Sequence, residues 1–385
     1  MPTTANRLNL FTESVIGQMN ILAEKTGAIN LASGFPDFDP PAELLAAAEH
    51  ALRAGYNQYA NPMGSPRLRQ ALAEKQTRFM GIELDPAAHI TLTCGSTEAM
   101  LASILTVCGP GEKAIVFSPF YETYGPDILL SGAKPIVVPL HPPDFTFDPD
   151  ELRQAFLLGA RVLILCNPSN PTGKVFTRQE LQTIADLTQQ FDAFIITDEV
   201  YEHIVYQPHV HTYIASLPRM FERTLSCGSL SKTYAITGWR LGYVISSPHL
   251  TAGVRKLHEY ITLGTAAPLQ EAAVTALDFP DSYYQELQAE YTRKRDLFLN
   301  SLEQAGLSYI PPQGAYFVLV DISRFGYEDD LSFSTWLAEE VGIAGVPGSS
   351  FFSEPVHRYV RLNFAKRDET LIEAGRRLAK LSSLS

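Results

Sequence analysis

The chain has 385 residues, which at ~150 residues per domain gives room for about two or three domains. Its 42 acidic against 30 basic side chains leave a net charge of −12, which argues against a phosphate-backbone partner, so no nucleic acid is expected, though a local basic pocket for a small anion stays open. A 45% hydrophobic content with 19% charged residues excludes a disordered chain, and no apolar run approaches membrane-spanning length, so no membrane is expected and a cytoplasmic protein is.

Residues Met1 to Ser14 lack the apolar stretch of a signal peptide. From about residue 90 strands and helices alternate. Ile90–Cys94 reads as a strand, Thr97–Val107 as a helix closed by Gly109-Pro110-Gly111, and Ala114–Phe117 and Ile136–Pro139 as further strands. Arg161–Cys166 and Ala193–Asp198 are short continuous apolar runs, as expected of strands buried on both faces. Arg178–Gln190 between them has helical spacing, and Thr224–Gly228 and Leu241–Ser246 complete the strands. This alternation predicts a large, doubly wound, mainly parallel α/β domain. After Pro248 the pattern changes to long helices, His249–Leu263 and Ser282–Glu303, then short strands at Tyr316–Asp321, Ile343–Val346 and Tyr359–Phe364, and a last helix over Asp368–Leu381. A small α+β domain is expected from 276–385 together with 1–45, leaving 46–275 as the large domain.

Four polar clusters sit where strands end, the edge at which open α/β sheets place ligands. Cys94-Gly95-Ser96-Thr97 opens a helix, a natural anion cradle. Asn167-Pro168-Ser169-Asn170-Pro171-Thr172-Gly173 is a tight loop, Asp198-Glu199-Val200-Tyr201 ends the next strand, and Ser229-Leu230-Ser231-Lys232-Thr233 precedes Gly238-Trp239-Arg240-Leu241-Gly242. Singly, each has a structural explanation: a cap, a turn, a solvated charge. Together, on one sheet edge, they make a coherent set for one cofactor. The cysteines, Cys94, Cys108, Cys166 and Cys227, are expected to be reduced core thiols, not disulfides or zinc ligands. His209-Val210-His211 is expected to be a loop pair, with no metal bound, and Glu199 to solvate its loop.

On these segments, and on Ile29-Asn30-Leu31-Ala32-Ser33-Gly34-Phe35-Pro36-Asp37-Phe38 and Arg361-Leu362-Asn363-Phe364, the sequence resembles the fold-type I pyridoxal-5′-phosphate enzymes of aminotransferase classes I and II, nearest the kynurenine, glutamine and methionine branch. The resemblance implies an internal aldimine on Lys232, whose amine also shuttles a proton. It implies Asp198 at the pyridine nitrogen, Asn170 and the phenol of Tyr201 at O3′, and Tyr121 stacked on the ring. Ser96, Thr97, Ser229 and Arg240 are the implied phosphate cradle, joined by Tyr59 from a partner subunit, hence a homodimer. Arg361 is the implied clamp for the substrate carboxylate, assisted by Asn170 and the backbone of Gly34. Small-molecule amino acids and 2-oxo acids are the implied partners.

Two departures bear on substrate. Leu263-Gly264-Thr265-Ala266-Ala267-Pro268, which falls where the partner chain lines the side-chain pocket in relatives, is small and apolar here, with no evident second arginine; position 95 is Gly where some relatives carry Ser. A neutral, aromatic or sulfur-containing amino acid is therefore the expected donor in a ping-pong exchange with a 2-oxo acid. An aspartate-type aminotransferase and a C–S β-lyase are the alternatives. A non-catalytic regulator on this fold is disfavoured, since the family motifs begin by residue 30 and Lys232 is intact.

Overall fold

The computed structural model describes residues 3–384; residues 1, 2 and 385, which fall within the expected small-domain limits, lie outside the described residues. Seven strands, β1 (Ile90–Cys94), β2 (Lys113–Ser118), β3 (Lys134–Pro139), β4 (Val162–Cys166), β5 (Phe194–Asp198), β6 (Thr224–Ser229) and β7 (Leu241–Ile245), form one sheet in the order β1-β7-β6-β5-β4-β2-β3. Every pairing is parallel except those of β7, which runs antiparallel to both β1 and β6.

The continuous apolar runs are explained by two buried faces. Along β4, Val162 and Ile164 face a cluster with Ala99 and Ile104 of the helix Gly95–Val107 and Val254 of the helix Pro248–Ile261. Leu163 and Leu165 face the opposite cluster, with Leu152 and Phe156 of Pro149–Leu157 and Leu181 and Ile184 of Arg178–Gln190. The period of two thus survives as a choice between two cores. The helix Arg178–Gln190 starts on a capping box: Thr177 accepts from the Glu180 N–H, and the Glu180 carboxylate accepts from the Thr177 N–H.

The C-terminal part builds an antiparallel sheet in the order Val346–Pro347, Tyr359–Asn363, Phe317–Asp321, Ser308–Ile310. Helices Asp281–Gln304 and Asp368–Leu378 bury Phe298, Leu302, Leu371 and Leu378 in its core. The expected strand Ile343–Val346 divides. Ile343–Ala344 pairs in parallel with Ile29–Asn30, while Val346–Pro347 joins the antiparallel sheet. Gly345 makes the crossing, where a Cβ would lie 2.5 Å from Cγ1 of Val360. The expected helix Asp368–Leu381 ends at Leu378 and tightens into a 3₁₀ turn over Ala379–Leu384.

Because β7 is reversed, its first residue meets the carboxyl ends of β1, β4, β5 and β6 at one edge of the sheet. Val200 and Tyr201, just past β5, belong to the core of the smaller sheet. The edge is therefore roofed by the second layer.

Candidate active site

A cavity of about 330 Å³ lies at this edge, lined among others by Ser96, Thr97, Tyr121, Asn170, Asp198, Tyr201, Ser229, Lys232, Arg240, Arg361 and Gly34. Every site residue expected from the sequence lines this one cavity except Tyr59. Tyr59 is 89% exposed and borders a separate depression with Asn57 and the segment Thr262–Pro268.

One end of the cavity is built for an anion. The helix Gly95–Val107 begins without a side-chain cap on its first turn, so the N–H groups of Ser96 and Thr97 are left to a ligand. Arg240 Nη2 stands 3.3 Å from Oγ1 of Thr97, and Nη1 donates to the Thr237 carbonyl at 3.0 Å. Gly95 has φ +73°, and a Cβ there would lie 2.2 Å from Arg240 Nη2. The absence of a Cβ at position 95 thus leaves room for the guanidinium at the helix end. Ser229 Oγ accepts from the Ser231 N–H at 3.0 Å and lies 2.7 Å from Oγ of Ser231.

In the middle, Asp198 closes β5. Its Oδ2 accepts from the Tyr124 hydroxyl at 2.8 Å and its Oδ1 from the Val200 N–H at 3.3 Å. Burial pushes this carboxyl up, while those two bonds and the charge of Lys232 draw it back. Lys232 Nζ donates to the Gly34 carbonyl at 2.7 Å, and the Tyr316 hydroxyl donates to the same oxygen at 2.8 Å. Burial, with Arg240 and Arg361 acting against Asp198, lowers the Lys232 ammonium from 10.5 to about 8. At pH 7 about a tenth of the amine is then neutral, the form that acts as nucleophile and base, against well under a thousandth at the ordinary value. Tyr201 meets Tyr316 and Phe317 edge-on, with centroids 5.1 and 5.9 Å away.

At the far end, Arg361 is fully buried. Nη1 donates to Asn170 Oδ1 and Nη2 to the Ala32 carbonyl, each at 2.7 Å. The guanidinium lies between the rings of Phe317 and Phe351, at 4.2 and 4.8 Å. Its Nε has no partner, and among the described residues no carboxylate pairs with it. Burial lowers it from 12.5 to about 10. A buried, unpaired cation costs several kcal/mol, and a site that keeps one is built to receive an anion.

Residues 26–378 match the family model of aminotransferase class I and II. The chain belongs to this family. The probable N-succinyldiaminopimelate aminotransferase of Mycobacterium tuberculosis is 37% identical over 98% of both chains. The methionine aminotransferase of Escherichia coli is 37% identical over 96% of both. The solved structure of N-succinyldiaminopimelate aminotransferase from Mycobacterium tuberculosis superimposes with a TM-score of 0.95 at 38% identity, covering 98% of this chain and all of that one. The protein is thus an aminotransferase with the fold-type I architecture that its sequence motifs imply.

The family implies pyridoxal 5′-phosphate, and the cavity fits it on its own terms. The uncapped helix end, the hydroxyls of Thr97 and Ser229 and the Arg240 fork suit a phosphate. A buried carboxylate suits a ring nitrogen that carries a proton, and an amine lowered to about 8 suits an aldehyde.

Three features lie outside what the aminotransferase motifs indicate. Tyr124 is fully buried beneath Asp198; its only sequence signal is standing three residues after Tyr121 at the start of the helix Tyr124–Leu130. Cys166, expected in the core, lines the cavity instead, because it is the last residue of β4; the strand-end argument applied to Asp198 would have found it. Ile16 also lines the cavity with no motif to mark it, beside Phe35 of the Ile29–Phe38 segment. Asn363 Nδ2 donates to the Ser33 carbonyl at 2.7 Å and fixes the loop that carries Gly34 and Phe35. Glu199 does not solvate its loop: it is 4% exposed, and burial, reinforced by Glu202, raises its carboxyl well above 4.5. His211 is likewise inside, against Tyr213 at 4.5 Å, with Nδ1 3.4 Å from Nδ2 of Asn167.

Proposed function

We propose that the chain moves the amino group of a neutral L-amino acid, aromatic or sulfur-containing, to a 2-oxo acid in two successive half-reactions, with Lys232 as the covalent anchor of the cofactor. Bound pyridoxal 5′-phosphate supplies an electron-accepting ring that carries the amino group between the two acids. The chain supplies the rest. Ser96, Thr97, Ser229 and Arg240 hold the phosphate, and Asp198, backed by Tyr124, keeps a proton at the ring nitrogen. Asn170 and Tyr201 bond the ring hydroxyl, and Tyr121 covers one face. Arg361 binds the substrate carboxylate in a two-pronged bond and so orients the Cα–H bond. Lys232 Nζ, lowered to about 8 and held on the Gly34 carbonyl, would serve as the base that takes up and gives back the Cα proton.

The observation that carries this reading is the buried, unpaired guanidinium of Arg361 in the same cavity as Lys232 and Asp198. Among the described residues the cavity lining holds Arg240 and Arg361 and no third guanidinium, and its apolar members include Ile16 and Phe35. These favour a neutral side chain over a second carboxylate. Two of the relatives' names, methionine aminotransferase and human kynurenine–oxoglutarate transaminase 1, lean the same way; that of N-succinyldiaminopimelate aminotransferase does not.

The protein is further proposed to act as a homodimer in which Tyr59 reaches the other subunit's phosphate, which its 89% exposure leaves it free to do. The division into 46–275 and 1–45 with 276–385 is kept as the working description, with the limit at 46 falling inside the helix Ala42–Arg53. The four cysteines are free, which accords with the cytoplasm. The test is the first half-reaction. Protein loaded with pyridoxal phosphate is mixed with single amino acids, and the change in cofactor absorption and the 2-oxo acid released are measured. Release of oxo acid from methionine or phenylalanine is the expected result, and no release from any amino acid would overturn the proposal.

A further inference from the structure

The carboxylate of Glu122 stands next to Tyr121 in the loop after β2, yet it bonds the start of a helix more than 100 residues away in sequence. The helix Val15–Thr26 is capped by Ser14, whose Oγ accepts from the Gly17 N–H at 3.0 Å. That hydroxyl's only proton is given to Oε1 of Glu122. Oε2 of Glu122 lies 3.5 Å from the N–H of Ile16, one of the first-turn donors with no partner inside the helix. One carboxylate thus satisfies both the cap and the helix end, where the helix dipole also favours negative charge.

The side chain of Ile16 lines the cavity together with Tyr121, Phe35 and Arg361. Arg361 sets where the carboxylate of an amino acid lies and Lys232 sets its Cα. Ile16 and Phe35 are then left to meet the side chain. Glu122 touches neither Lys232 nor Arg361, though its charge acts on Tyr121 and on Arg361.

We propose that Glu122 and Ser14 form a clasp that holds Ile16 against the substrate side chain, making Glu122 a positioning residue for side-chain selection. The inference rests on the amino-acid-binding reading above. It assigns the length preference of the pocket to a contact outside the cofactor site. A short side chain such as that of alanine does not reach the Ile16 wall; a straight chain such as that of norleucine does.

The test uses the holoenzyme with alanine and norleucine as donors, in Glu122→Gln, Ser14→Ala and Ile16→Ala variants and the Ser14→Ala/Ile16→Ala pair. Ser14→Ala and Ile16→Ala should each raise KM for norleucine about tenfold relative to alanine, with kcat within about twofold, because lost apolar contact is felt as uniform binding. The pair should be no worse than either single change, since both remove one contact. Glu122→Gln, which keeps one acceptor oxygen, should fall between wild type and Ser14→Ala. Independently of turnover, amide exchange at Ile16 and Gly17 should be about tenfold faster in Ser14→Ala than in wild type, because the helix start frays. An unchanged norleucine-to-alanine ratio, an additive pair, or unchanged amide exchange would each overturn the clasp. A wild-type enzyme that releases no oxo acid from these two donors or from any other amino acid, with the exchange difference intact, would instead overturn the functional reading.

Discussion

Arg361 donates from Nη1 to Oδ1 of Asn170 at 2.7 Å, joining an inner strand of the small sheet to the loop that follows β4. The bond holds the guanidinium plane and at the same time fixes the Asn170 amide, whose NH₂ is left as the donor available to a ligand. Substrate clamp and cofactor contact are therefore set by one interaction, and a change at either residue is felt at both.

Replacing Arg361 should separate function from stability. Arg361→Lys keeps the charge and loses the fork, so kcat/KM for an amino donor should fall by about 10²-fold or more, mostly through KM. Arg361→Met removes a buried charge that has no acidic partner and keeps apolar volume between Phe317 and Phe351. It should unfold at the same or a higher temperature than wild type while its turnover is lost. A thermal melt alongside the kinetics decides it; a markedly lower melting temperature for Arg361→Met would mean the guanidinium stabilises the fold.

Lys232 makes the cofactor-free protein's stability depend on pH in a defined window. The folded amine titrates at about 8 and the unfolded one near 10.5. Between these values the unfolded chain holds more protons, so stability rises with pH through the window, and below it the full cost of the buried charge is present. Lys232→Met removes that cost. Its melting temperature in the cofactor-free state should exceed that of wild type at pH 7, and the excess should shrink as pH approaches 10. A pH-independent difference would show that the amine is not lowered.

Gly95 is where a single carbon should cost cofactor affinity. Gly95→Ala places a Cβ against Arg240 Nη2 and forces a left-handed residue to carry a side chain, a backbone penalty of about 1–2 kcal/mol. The guanidinium has to withdraw from the helix end. Titration with pyridoxal phosphate should show about tenfold or greater weakening, and the purified protein should melt a few degrees lower. Unchanged affinity would mean that Arg240 reaches the phosphate by another path.

The strands and the polar segments at their ends were legible because both follow from short-range rules. Apolar runs of five or six residues can be buried on two faces, and Asp198, Asn170, Lys232 and Arg240 stand where such runs stop or begin. The chain from Ile343 to Val346 was not legible as two strands, because the switch at Gly345 depends on Val360 lying close by, a contact with no local trace. Tyr124 and Ile16 were missed for the same reason: each reaches the cavity through tertiary placement and carries no motif. Glu199 was misread since an acidic residue just past a strand normally faces water. Here it lies inside the large domain, with His211 Nε2 4.0 Å away, and the neighbouring turn is anchored by the buried pair Lys75–Glu202 at 2.7 Å.

That buried position gives Glu199 a testable charge state. Burial, with Glu202 nearby, raises its carboxyl well above 4.5, while His211, whose Nε2 lies 4.0 Å away, is lowered by burial to about 4 and so is neutral at physiological pH. Burial therefore biases Glu199 toward its acid form, and among the described residues no charged cation pairs with it. Because the folded form binds its proton more tightly than the unfolded one, stability falls as pH rises above 4.5, until the folded group itself ionises. Glu199→Gln, an uncharged mimic of the protonated side chain, should be more stable than wild type at pH 8, and the gap should close toward pH 5. Near-wild-type turnover is expected at pH 7, since the charge at the end of β5 then rests on Asp198 in both proteins. A Gln variant that melts below wild type at pH 8 would show instead that Glu199 is ionised and paired, and that the end of β5 carries two negative charges.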